Sequence, residues 1–123
     1  MAKSVVAFSL EEFDPTYTRV LVGDANFRNF NFTNLGTLEV ITGNVDFEIS
    51  QVKSLGNLTT IGFGAYFKGS QVENLGQLTT IGSYANFGES AIKSLGNLTT
   101  IGGSVYFGNR TDLEAEWEKR KNK

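Results

Sequence analysis

The sequence predicts a mainly β protein, a right-handed repeat solenoid of 20-residue coils with a parallel sheet along it and a C-terminal capping α-helix. Three observations carry that expectation. The stretches Val52 to Gln71, Val72 to Ala91 and Ile92 to Thr111 share one pattern, with Leu-Gly-x-Leu-Thr-Thr-Ile-Gly in the middle of each. A fixed period of this length means stacked identical units rather than folding around one central core. Six apolar columns, headed by Leu55, Leu58, Ile61, Ala65, Phe67 and Val72, recur at every step and must therefore point inwards. Finally, Thr111-Asp112-Leu113-Glu114 has the form of a capping box, and the run to Lys121 places acids early and bases late, as the helix dipole favours.

Taken in order, residues 1–19 read as an N-terminal cap. Ser4 to Phe8 is expected as a strand, Ser9-x-x-Glu12 as a brief helical turn and Tyr17 to Val22 as a second strand, with Phe8, Leu10 and Phe13 closing that end. Residues 20–111 form the solenoid. Its first half-coil keeps Leu21, Gly23, Ala25 and Phe27, whereas Asp14 to Thr18, with Pro15, has lost the leucines, as terminal repeats do when they become caps. The next coil, Phe32 to Gln51, holds Leu35, Gly36, Leu38, Ile41, Gly43, Val45, Phe47 and Ser50 in register.

Within a coil, the period-three spacing of Leu55, Leu58 and Ile61 predicts a turn of 3₁₀ or loose helix. Ala65 and Phe67, at period two between glycines, predict a short strand. Stacking would set those strands side by side at about 4.8 Å in a parallel sheet of about five along one face of the solenoid. The column Phe27, Phe47, Phe67, Phe87 and Phe107 becomes a buried spine. Ser50, Ser70 and Ser90 are expected to bond neighbouring backbone, and so are the paired threonines Thr59-Thr60, Thr79-Thr80 and Thr99-Thr100. Residues 112–123 complete the chain as a capping helix and basic tail, with Leu113 and Trp117 one turn apart and able to cover the open end of the spine.

Composition narrows the function classes. The chain of 123 residues carries a formal charge of -2, with no cysteine and no histidine. That balance gives no electrostatic footprint for nucleic acid, and no window approaches a membrane span. Without cysteine there are no disulfides or thiolate metal sites, which fits a reducing cytoplasm. The commonest general base is missing as well, no cofactor motif is present, and nothing builds a cleft around Asp24 and Asp46, so no enzyme is expected.

What varies is the outward side of the strands. Tyr66, Tyr84 and Tyr106 lie beside Asp24, Asp46 and Glu48, with Asn26, Lys68 and Asn86 among them, and together they make the best candidate contact surface. Tyrosine supplies large contact area at low entropic cost. On the strands, Gly64 and Gly88 also count as outward positions.

The string Leu-Gly-x-Leu-x-x-Ile-x-Gly-x-Val-x-Phe, as in Leu35 to Phe47 and Leu95 to Phe107, resembles leucine-rich-repeat solenoids. It is most similar to the coils of receptor L-type domains and to short repeats of bacterial and phage proteins. Phenylalanine stands where an aliphatic residue is usual at the strand end, and serine replaces the asparagine ladder, so a regular β-helix stands beside a curved horseshoe. The resemblance implies binding of a protein partner through the exposed sheet face, as in a bacterial or phage-encoded inhibitor or adaptor. A structural virion or assembly component that self-associates through strand edges is the alternative expectation, and an ice-binding role for the threonine ladders is a third.

Overall fold

The computed structural model describes residues 5–28 and 32–121, with the Lys121 side chain left out. Ser4 at the start of the expected first strand and the end of the basic tail lie outside the described residues. Each coil turns at its Leu-Gly-x-Leu segment, where the second leucine's N–H donates to the first leucine's carbonyl, from Leu38 to Leu35 (3.2 Å) through Leu98 to Leu95 (3.0 Å). Gly36, Gly56, Gly76 and Gly96 take φ of +60°, +58°, +56° and +55° in these turns, a region closed to most side chains. Asn34, Ser54, Asn74 and Ser94 fix the same corner by accepting the N–H of the glycine two residues on.

The strands are β1 (Val6–Ala7), β2 (Val20–Leu21), β3 (Ala25–Asn26), β4 (Val40–Ile41), β5 (Val45–Asp46), β6 (Thr60–Ile61), β7 (Ala65–Tyr66), β8 (Thr80–Ile81), β9 (Ala85–Asn86), β10 (Thr100–Ile101) and β11 (Val105–Tyr106). They form two parallel sheets, a six-stranded one in the order β1-β2-β4-β6-β8-β10 and a five-stranded one in the order β3-β5-β7-β9-β11. The five-stranded sheet is the one expected from the sequence, and the six-stranded sheet is additional to it. The period-three run is a turn followed by a strand: Leu55 and Leu58 belong to the corner, while Thr60–Ile61 is extended and pairs in register with Val40–Ile41 and Thr80–Ile81. A third line of pairing survives only as single bridges, Asn34 with Ser54 and Asn74 with Ser94.

All side chains of the six inward columns are fully buried in the middle coils. The phenylalanine spine forms as expected. Ring centroids of Phe27, Phe47, Phe67, Phe87 and Phe107 follow one another at 5.3, 5.1, 5.4 and 5.8 Å, with interplanar angles of 12°, 17°, 15° and 23°. The spacing is set by the coil rise, which brings the rings close to stacking distance.

Both ends of this column are covered. Phe13 meets Phe27 edge-on at 6.3 Å and is buried, held over it by the turn in which Glu12 and Phe13 donate to Ser9 and Leu10. Phe8, also expected to close that end, is instead 68% exposed. Its N–H binds the Glu12 carboxylate across the turn, which directs the segment away from the core.

At the other end α1 (Thr111–Lys121) buries Leu113 and Trp117. The expected capping box does not form around Thr111, which is already helical: the Glu114 N–H donates to the Arg110 carbonyl (3.1 Å) and Arg110 takes the cap position. The Arg110 guanidinium then binds the carbonyls of Ser90 (2.8 Å) and Ile92 (2.5 Å) together with the Asp112 carboxylate (2.9 Å). Farther along, Glu116 accepts the Leu95 N–H and Arg120 donates to the Leu98 carbonyl (2.6 Å). The helix thus covers backbone groups of the last coil that a further coil would have paired. The cover is partial, because Ile101 and Val105 stay half-buried while their counterparts in the middle coils are fully buried.

Candidate functional site

The candidate surface is the outer face of the five-stranded sheet. Parallel in-register pairing puts Asn26, Asp46, Tyr66, Asn86 and Tyr106 in one column, each opposite the next. Inward Ala25, Val45, Ala65 and Ala85 alternate with them and are buried. Tyr66 and Tyr84 come together as a tilted ring pair, 5.7 Å between centroids at 46°. Tyr106 stands over Gly88 instead and is 53% exposed. Gly64 and Gly88, expected to be outward positions, are buried. A Cβ on Gly64 would sit 3.0 Å from the Asn44 Oδ1 and 3.4 Å from the Tyr66 ring, so neighbouring side chains fold over it.

The acidic border is tied into the scaffold. Asp24 accepts the Asn44 N–H (2.8 Å), and the Asn44 Oδ1 in turn accepts the Gly64 N–H (2.7 Å), so the first three coils share a short polar ladder. Asp46 accepts the Glu48 N–H (2.8 Å). Glu48 pairs with Arg28 one coil below (3.4 Å), and Lys68 pairs with Glu89 (3.7 Å). Ion pairs at the surface such as these add little stability. Asp24, Asn26, Asn44, Asp46 and Tyr66 also enclose a trough of about 220 Å³. No cleft was expected there, because the trough arises from side chains brought together across coils. A second trough, of about 370 Å³, lies at the far end of the same face around Lys68, Asn86, Glu89, Tyr106 and Asn109.

The threonine columns are occupied in holding coils together. Thr59, Thr79 and Thr99 each donate a hydroxyl proton to a carbonyl one coil back, on Glu39, Thr59 and Thr79, at 3.2 Å in all three cases. Their neighbours Thr60, Thr80 and Thr100 lie within 3.3 to 3.4 Å of the same hydroxyls. The serine column behaves less uniformly than its repetition suggests. Ser50 Oγ accepts the Val52 N–H, Ser90 Oγ donates to the Phe87 carbonyl, and the buried Ser70 Oγ meets no protein partner. Among the described residues, no group of three or more acidic side chains could hold a metal ion, and no helix is long and apolar enough to cross a membrane.

Two sets of residues escaped sequence reasoning. The Asn34, Ser54, Asn74 and Ser94 corner caps were legible in principle as a polar residue always two before the turn glycine. Arg110, Glu116 and Arg120 carried no repeat signal, since their partners are main-chain groups of the last coil. Comparison with known proteins gives no significant match to any protein family, curated protein or solved structure. The chain is a parallel-strand β-solenoid of stacked coils with one C-terminal helix among its described residues.

Proposed function

We propose that this solenoid is a non-enzymatic interaction module that binds a protein partner through the outer face of its five-stranded sheet. The observation that carries the reading is the set of tyrosines on one outer face: Tyr66 and Tyr84 half-buried against each other, Tyr106 exposed. Aromatic side chains already held by a scaffold lose little freedom on binding, which is how a small face gains affinity. The trough beside Asp24 and Asp46 adds an acidic border that selects the orientation of the partner. The coil pattern is leucine-rich-repeat-like in its Leu-Gly-x-Leu corner and β-helical in its two sheets, and both solenoid types offer such faces. An inhibitor or adaptor, bacterial or phage-encoded, is the role this design suits.

Replacing Tyr66, Tyr84 and Tyr106 with serine tests it. The triple variant is expected to lose capture of its partner from lysate of the source cells while still unfolding cooperatively at a midpoint near that of wild type, since none of the three is fully buried. Undiminished capture would refute the reading.

A further inference from the structure

The end of the tyrosine face has a shape that the rest lacks. In the column where earlier coils carry Arg28, Glu48 and Lys68, the last two carry Gly88 and Gly108. A Cβ on Gly88 would come within 2.9 Å of Tyr106 Cε2 and 3.2 Å of its Cδ2, and one on Gly108 within 3.4 Å of Cε2. Tyr106 therefore lies with its ring edge over Gly88, where a Cβ would push the ring aside, and is 53% exposed. The result is an aromatic floor. Around it Asn86, Lys68, Glu89 and Asn109 complete the trough of about 370 Å³, within the range of about 300–1,000 Å³ usual for small-molecule sites.

Charge decides what such a trough suits. Lys68 and Glu89 neutralise each other at 3.7 Å, and the other polar members are amides, so the site has no net charge to recognise an ion. It does offer donors and acceptors in abundance. Asn86 Oδ1 is engaged by the Gly88 N–H at 2.9 Å, which holds the side chain still and leaves its Nδ2 donors for a ligand. A neutral molecule with one apolar C–H face to lay on a ring and a rim of hydroxyls to meet amide, ammonium and carboxylate groups is a sugar.

We infer that the Tyr106 trough is a saccharide subsite. The inference rests on the reading that this face contacts a partner and gives that contact its chemistry: the partner presents a glycan at the Tyr106 end. Tyr106 supplies the stacking platform, Asn86 and Asn109 bond ring hydroxyls, and Lys68 and Glu89 turn from each other to bracket a neighbouring pair of hydroxyls.

The test is saturation-transfer NMR on the intact chain with four soluble probes: maltotetraose, cellotetraose, mannotetraose and N-acetylchitotetraose. At least one is expected to receive magnetisation at its ring C–H protons. Tyr106→Ala should then weaken that binding by about tenfold or more, while Tyr106→Phe, which keeps the ring, leaves it within about twofold. Silence from all four sugars, or unchanged transfer in Tyr106→Ala, overturns the subsite. Partner capture by a Tyr66→Ser/Tyr84→Ser variant is read separately, so a protein that binds no sugar yet loses capture in that variant overturns the subsite alone and leaves the protein-binding reading standing.

Discussion

At the scale of single residues, stability and surface are divided between neighbours in the chain. Phe67 is fully buried between Phe47 and Phe87, whereas Phe63, four residues earlier, is 56% exposed. Phe67→Ala should cost about 3–5 kcal/mol, because the rings above and below cannot move into the gap while the coil rise is fixed by hydrogen bonds. Phe63→Ala should stay within about 0.5 kcal/mol of wild type. Denaturant unfolding of the two variants checks both values, and equal losses would mean that the spine is not the core. Glycines separate in the same way. A Cβ on Gly82 would collide with the Gly62 carbonyl one coil back, whereas a Cβ on Gly76 has open room and only a positive φ to overcome. Gly76→Ala should therefore cost about 1–2 kcal/mol. Gly82→Ala should cost clearly more, since backbone must shift, and the same unfolding experiment ranks them. The inward columns were legible in the sequence because burial repeats with the period. The trough beside Tyr106 was not legible, because Gly88 reads as a plain outward strand position until the ring of the next coil is seen lying on it.

Among the elements, α1 shows how an end is sealed when no further coil follows. Arg110 links three things at once, binding the carbonyls of Ser90 and Ile92 and the Asp112 carboxylate in the first turn of the helix. That hydrogen bond from Arg110 is the main cause holding the Asp112 carboxyl below its ordinary pKa, aided by the Leu113 N–H and opposed by desolvation. A depressed carboxylate adds stability that is fully present above its unfolded pKa and is lost as pH falls through the lower, folded value. The melting temperature of wild type should therefore exceed that of Asp112→Asn at neutral pH. The gap should close in acid, below the usual carboxylate range, and shrink in high salt because Asp112 is exposed. Thermal unfolding across acid pH measures this, and a pH-independent gap would contradict it. The helix itself could be read from the sequence, as could the burial of Leu113 and Trp117. Its cap could not, since the Thr-x-x-Glu pattern fits a box in any register and the choice of Arg110 depends on carbonyls that only the folded coil presents. The second sheet was hidden for a related reason: Leu55, Leu58 and Ile61 mimic a helical period because a turn happens to precede a two-residue strand.

For the molecule as a whole, repetition makes stability nearly additive along one axis. Each coil is held by its neighbours through two sheets, the threonine hydroxyl bonds and one phenylalanine contact on each side. The proposed contact surface lies on the positions that do not repeat, which is why the fold could be read from the columns that repeat while the candidate surface could be read only as the columns that do not. The same logic makes the solenoid shortenable. Removing residues 72–91 takes out one complete coil and joins Gln71 to Ile92, with Leu95, Ile101 and Phe107 following in the register that Leu75, Ile81 and Phe87 held. Denaturant unfolding of that deletion, followed by circular dichroism, tests the stacked-coil account most directly. A cooperative transition with a lower midpoint and a smaller m-value is the predicted result, because less surface is buried while the stack closes again. An unfolded or non-cooperative chain would show that the coils are parts of one indivisible core, and would contradict the account.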